Sequence, residues 1–289
     1  HSPPPSVSPP PPPPASPSPA LTSGTPASQF ELSVDAGCLR ERSLSEKTHD
    51  PFCVNGHQLP ALFLIGAQKC GTTSLAKQLK EQYGVSTGLG FEDGAGFSNR
   101  KEPHFFNTDM RYELGLEHYA SIFPPCGHDV LTMDATPDYL FGNVSLGRIA
   151  RMYGPERLER TTFAALLCEP LQRAHSAFYH MRSIPVAGFD RPSSATFPDF
   201  VGETSQTALA TWAHGRYGPQ LDRILDELGQ VAIIPTAWYL TSAHPTLIGL
   251  LDLVERRSGK RVPAPAHTSS AKPLHAFAGS HRPLAEELP

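Results

Sequence analysis

Four apolar runs stand out along the chain: "ALFLI" at 61–65, "VLTM" at 130–133, "TFAALL" at 162–167 and "VAII" at 231–234. None alternates apolar with polar positions. Near-continuous apolarity suits strands covered on both faces, as in a parallel sheet. Between the runs, apolar residues recur at helical spacing. Leu75, Leu79 and Tyr83 share one face, as do Ala174, Ala177, Phe178 and Met181, and later Leu221, Ile224, Leu225 and Leu228. A last helix is expected around Leu247, Leu250, Leu251 and Val254. Strands alternating with helices predict βαβ units, hence an α/β fold with one P-loop-like parallel sheet flanked by helices in a single domain.

Composition confines this fold to part of the chain. The sequence has 289 residues, room for one large α/β domain or two small ones. Residues 1–30 hold 12 prolines and no Asp, Glu, Lys or Arg. With few backbone donors and little to bury, they read as a disordered, polyproline-II-like stem. Residues 31–57 follow as a linker or N-terminal extension, and 58–289 as the domain. Beyond the stem, the apolar stretch Val231–Leu251 is free of Asp, Glu, Lys and Arg but contains two prolines, a histidine and several hydroxyls, so it fails as a membrane span.

Charge and cysteines change the picture less. A net charge of −4 and an isoelectric point near 6.4 remove the global basic field that nucleic acid demands, so any anion site must be local. Cys38, Cys53, Cys70, Cys126 and Cys168 show neither CxxC nor zinc spacing. Cys38 and Cys53 flank a short polar segment and are candidates for a disulfide in an oxidising compartment; free buried thiols are the alternative. Asn143, Val144 and Ser145 form one N-glycosylation sequon.

The candidate chemistry starts where the first strand ends. "ALFLIGAQKCGTTSLAKQL" (61–79) runs from apolar residues through a glycine turn into a helical pattern. A strand, a turn and a helix N-terminus present unpaired amides and the positive end of a helix dipole to an anion. Gly66 and Gly71 let the backbone approach closely. Lys69 adds a full charge, and Thr72, Thr73 and Ser74 add hydroxyl donors. The two glycines keep the spacing of the ATPase pattern G-x-x-x-x-G-K-[ST], but Thr72 stands in the lysine position. The lysine that grips β- and γ-phosphates beside magnesium is missing. A nucleotide with a shorter phosphate chain and no obligatory metal fits better.

"LIGAQKCGTTSLAKQL" resembles the 5′-phosphosulfate-binding loop of sulfotransferases that use 3′-phosphoadenosine 5′-phosphosulfate (PAPS). "RKEPHFFN" (100–107) is similar to the K-E-x-H-F-F element of carbohydrate sulfotransferases such as the heparan sulfate enzymes. "MDATPDYLF" (133–141) resembles their acidic-x-[ST]-P-x-Y element. "LLCEPLQRAHSAFYHM" (166–181) is similar to their 3′-phosphate-binding strand and helix, and "GRYGPQLDRILDELG" (215–229) to the segment that follows. The resemblance spans about residues 58 to 257, with five motifs in the same order.

The resemblance implies transfer of SO3 from PAPS to a hydroxyl or amine of a carbohydrate acceptor, leaving adenosine 3′,5′-bisphosphate and needing no metal. It places the general base at Glu102, with His104 as a substrate-orienting or second polar group. Were that segment extended, the two would share one face. Asp134 and Asp138 are weaker candidates for holding the loop or an acceptor sugar. Lys69, Gly71, Thr72, Thr73 and Ser74 fall on the 5′-phosphosulfate side. Cys168, Arg173 and Ser176 fall on the 3′-phosphate side, and Lys272, with His275 and Arg282, on a covering loop. Tyr217, Trp238 and Tyr239 are core residues first and stacking candidates second.

Two positions depart from the family pattern: Ala135 stands where some relatives carry a lysine, and Cys168 where the 3′-phosphate arginine is expected. Losing that arginine should cost roughly 1.5–3 kcal/mol of cofactor binding. The rival readings are a non-catalytic nucleotide- or glycan-binding relative and a P-loop kinase. No aspartate directly after a strand announces an ATPase-style magnesium site. The family also implies a Golgi-lumenal glycoprotein whose stem leads to an anchor upstream of this chain, or a secreted form.

Overall fold

The computed structural model describes residues 50–89, 101–127, 129–183 and 190–262. The proline-rich stem, Cys38, and the tail candidates Lys272, His275 and Arg282 lie outside the described residues.

The described chain opens with an antiparallel pair, β1 (Cys53–Val54) and β2 (His57–Gln58). Its turn runs through Asn55 and Gly56, both at positive φ, which asparagine and glycine tolerate best. This pair lies against residues 124–126: Gln58 N–H donates to the Pro124 carbonyl at 2.9 Å, and Cys126 N–H to Gly56 at 2.8 Å. Cys53 and Cys126 are thereby brought to a Cα–Cα distance of 5.6 Å and joined in a disulfide. That bond replaces the expected Cys38–Cys53 pairing, because the backbone partner of the hairpin comes from sequence 73 residues away.

The main sheet has five strands: β3 (Leu62–Gly66), β4 (Ser86–Thr87), β5 (Thr132–Asp134), β6 (Thr162–Leu167) and β7 (Ala232–Pro235). Their order is β4-β5-β3-β6-β7 and every pairing is parallel. The α/β expectation therefore holds. β3 lies at the centre and all five of its residues are buried, as its unbroken apolarity requires. β4, with two residues, is too short to leave a periodic signal.

Helices α1 (Thr72–Tyr83), α2 (Asp109–Tyr112), α3 (Gly115–Ser121), α4 (Ser145–Arg160) and α5 (Pro170–Ser183) precede a second group. That group is α6 (Phe197–Val201), α7 (Gln206–His214), α8 (Tyr217–Leu228), α9 (Thr236–Thr241) and α10 (Ala243–Ser258). The expected helices correspond to α1, α5, α8 and α10. α4 escaped sequence reading because Gly154, at φ 68, and Pro155 kink it and interrupt its apolar stripe. α6 and α7 are announced by their N-caps: the Thr196 and Ser205 side chains accept from the Asp199 and Ala208 amides. They pack on α5 in a small separate cluster around Phe178, Phe197 and Phe200. No described helix is long and apolar enough to cross a membrane.

A parallel sheet sends the segments after its strands to one edge. Here the turns after β3, β5 and β6 meet beside the central strand, where strand order changes direction and where open α/β sheets place their ligands.

Candidate active site

The turn after β3 is fixed before any ligand enters. Ala67 N–H donates to the Leu166 carbonyl of β6 at 2.7 Å, and Cys70 N–H to Ala67 at 3.1 Å. Gly66 is obligatory, since a Cβ there would meet Leu140 side-chain atoms at 2.6 Å. Gly71 caps α1 at φ 100, and Lys69 also takes a left-handed backbone at φ 73. Such a conformation costs a non-glycine residue strain and aims its side chain out of the turn. Thr72, Thr73 and Ser74 form the first turn of α1, with Thr73 exposed and the other two buried. Burial pushes the half-buried Lys69 ammonium down to about 8, opposed by Glu102 and assisted by Lys101. The turn after β3 and the segment of Glu102 therefore stand in each other's field.

The loop is also clamped covalently. Cys70 and Cys168 form a disulfide with a Cα–Cα distance of 5.3 Å. The Tyr217 hydroxyl lies 3.4 Å from the Cys70 sulfur and 4.0 Å from that of Cys168. Thr236, at the start of α9, donates from its hydroxyl to the Cys70 carbonyl at 2.8 Å. Adjacency of β3 and β6 makes the bond possible, because each cysteine follows its strand.

The segment 101–107 is held by buried polar anchors. Asp134, fully buried at the end of β5, accepts from the hydroxyls of Tyr119 (2.8 Å), Tyr139 (3.0 Å) and Thr136 (2.7 Å), and from the Thr136 amide (3.0 Å). Tyr139 in turn accepts from the amides of Phe105 at 3.1 Å and Phe106 at 3.4 Å. Buried Arg111 donates to the Pro103 carbonyl at 2.7 Å. Asp134, a sequence candidate for holding the loop or an acceptor sugar, is the last residue of β5. Its oxygens are committed to holding the segment, and burial raises its carboxyl to about 6 against these hydrogen bonds.

Glu102 and His104 are brought together, though not by an extended backbone. His104 has φ 53, which folds its ring back toward Glu102. Its Nε2 stands 3.5 Å from Glu102 Oε2, while Lys101 pairs with Glu102 Oε1. Burial alone would raise the Glu102 carboxyl; His104 and Lys101 outweigh it and hold it at about 2. Burial alone would lower His104, but Glu102, Asp138 and Asp134 raise it above the ordinary imidazole range. His180, not singled out from the sequence, is coupled electrostatically to Lys69 and Glu102 from α5; burial and Lys69 depress it to about 4. It sits one helical turn after Ser176, and that spacing was the available signal.

The far side of the site is built differently. Cys168 carries no charge and is engaged by Cys70. Arg173 is buried, donates to the Thr211 carbonyl, and has no hydrogen-bond partner for Nε and Nη1 among the described residues. Ser176 is half-buried. The first amides of α5 are already occupied: Leu171 and Gln172 donate to the Glu169 carboxylate at 3.0 and 2.7 Å. Tyr217 is half-buried at the disulfide, Tyr239 is core, and Trp238 is 54 % exposed.

Among solved structures, the chain is similar to a sulfotransferase from Alicyclobacillus acidocaldarius, with a TM-score of 0.52 and 22 % sequence identity over 71 % of this chain and 83 % of that one. The α/β sheet with its flanking helices is therefore a sulfotransferase-type fold. Neither a protein-family model nor a curated protein sequence matches the chain.

Proposed function

We propose that the protein transfers a sulfuryl group from PAPS to a hydroxyl or amine, with a carbohydrate as acceptor. The observation that carries this reading is the glycine turn that sets Lys69 at a helix N-terminus, with Glu102 of the "KEPHFF" segment close enough to act on the Lys69 charge. PAPS, when bound, supplies the sulfuryl group and a phosphate as leaving group. Lys69 and the first-turn amides of α1 would hold that phosphate and stabilise the charge it gains. Glu102, ionised across the working pH range, would take the acceptor's proton. With its carboxyl at about 2, it is a weak base toward a free alcohol. The proton therefore moves as the new S–O bond forms and the oxygen becomes acidic.

The fit is good at the 5′ end and poorer at the 3′ end. Next to Ser176 the chain offers a neutral disulfide, and a carboxylate already covers the α5 amides. An arginine contact to phosphate contributes roughly 1.5–3 kcal/mol, about 10- to 150-fold in affinity. Without it, the protein should favour adenosine 3′,5′-bisphosphate over adenosine 5′-monophosphate by no more than about tenfold. Calorimetry with both nucleotides, with and without magnesium, tests donor class and discrimination together. Binding of neither nucleotide removes the proposal. Binding only with magnesium points instead to a kinase-like reaction.

The compartment belongs to this reading as well. Disulfides persist in oxidising surroundings, and two are present. A Golgi-lumenal or secreted sulfotransferase is consistent with them.

A further inference from the structure

His104 has a second neighbour that the reading above leaves unused. Its Nδ1 lies 3.8 Å from Oδ2 of Asp138, in the 3-10 turn Pro137–Tyr139, and 3.1 Å from the Asn107 amide. The other oxygen of Asp138 accepts a hydrogen bond from Gln68 Nε2 at 3.3 Å. Gln68 directly precedes Lys69 in the phosphate turn. Four side chains from three separate segments thus form one path: Gln68, Asp138, His104 and Glu102.

We infer that Asp138 is a positioning residue for acceptor activation, fixing His104 beside Glu102, and that Gln68 ties this arrangement to the phosphate turn. The inference rests on the sulfuryl-transfer reading for its catalytic consequence but not for its geometry. His104 has a carboxylate at each ring nitrogen, so the doubly protonated imidazolium satisfies both. Asn107 agrees with this assignment. Its Oδ1 has no partner among the described residues, and exchanging its amide O and N lets it accept from a protonated Nδ1.

The function of the path follows from its two ends. Lys69 must meet the donor while Glu102 meets the acceptor, and in-line transfer tolerates little misplacement between them. A side chain adjacent to Lys69, bonded to the carboxylate that orients the partner of Glu102, keeps both halves in register. Charged groups facing His104 from all sides are Glu102 and Lys101 on its own segment, Asp134 and Asp138 after β5, and, beyond Glu102, Lys69 and His180.

The test follows the His104 imidazole by NMR in histidine-labelled protein without ligand, assigned by its loss in His104→Gln. Asp138→Asn, which keeps shape and still accepts from Gln68, should lower the His104 midpoint by about one pH unit. Gln68→Leu should shift it in the same direction by less. The double variant should match Asp138→Asn alone, because Gln68 acts only through Asp138. In turnover with PAPS, Asp138→Asn should lower kcat about tenfold while the affinity for adenosine 3′,5′-bisphosphate stays within twofold. An unmoved His104 midpoint, additive shifts in the double variant, or an unchanged kcat each overturns the inference. The titration needs neither donor nor acceptor, so it is decided even if the nucleotide fails to bind and the sulfuryl-transfer reading falls.

Discussion

Glu102→Gln should lower kcat by about a hundredfold or more while leaving the affinity for adenosine 3′,5′-bisphosphate near wild type. Glutamine keeps the shape of the side chain and can still accept from Lys101 and His104, so the segment stays in place. What it lacks is a site for the acceptor's proton. A group used only in the transition state changes turnover more than ground-state binding. Steady-state kinetics with PAPS and a glycosaminoglycan acceptor, beside nucleotide calorimetry, separates the two effects. An ordinary rate in the variant would show that Glu102 is not the base, and His104, 3.5 Å away, would be the next residue to test.

Lys69→Ala should remove turnover almost entirely, by about a hundred- to a thousandfold, as expected for a donor aimed at developing charge in a dry site. It should also weaken binding of the bisphosphate, because the charge serves ground state and transition state alike. The same residue sets an alkaline limit. Its ammonium is fully charged well below its value of about 8 and is lost as pH rises through it. Nucleotide affinity in the wild type should therefore fall above that pH. Lys69→Arg should keep its charge there and flatten the fall. A wild-type affinity constant from pH 7 to pH 9.5 would show that Lys69 does not contact the anion.

What the sequence made legible was the part carried by local pattern. β3 and β6 were visible because strands covered on both faces must be apolar throughout. The glycine turn between β3 and α1 was visible because glycine, lysine and hydroxyls fall within one turn of a helix start. Asp134 was not recognised as a keystone, since its role depends on three hydroxyls, from Tyr119, Thr136 and Tyr139, that converge only after the sheet forms. The extended backbone that would put Glu102 and His104 on one face is interrupted at His104, where a non-glycine residue adopts a left-handed backbone that no propensity announces. The disulfides were hidden for a topological reason. Cys70 and Cys168 are 98 residues apart, and only the adjacency of β3 and β6 makes them neighbours.

That adjacency makes the Cys70–Cys168 bond a record of assembly. A cross-link closing a loop of roughly a hundred residues removes about 4–5 kcal/mol of entropy from the unfolded chain, yet it forms only once the two strands lie side by side. The Cys53–Cys126 bond interleaves with it in sequence, closing 73 residues across the first half of the same span. With five cysteines in the chain, other pairings are open, and oxidation ahead of folding would favour near partners such as Cys53 with Cys38 or with Cys70. Either pairing takes Cys53 from Cys126, and the second also leaves the turn after β3 bonded to the N-terminal hairpin rather than to β6. Correct refolding from the reduced state accordingly calls for thiol–disulfide exchange as well as an oxidant, and trapping of the pairing at successive times would chart when the central sheet closes.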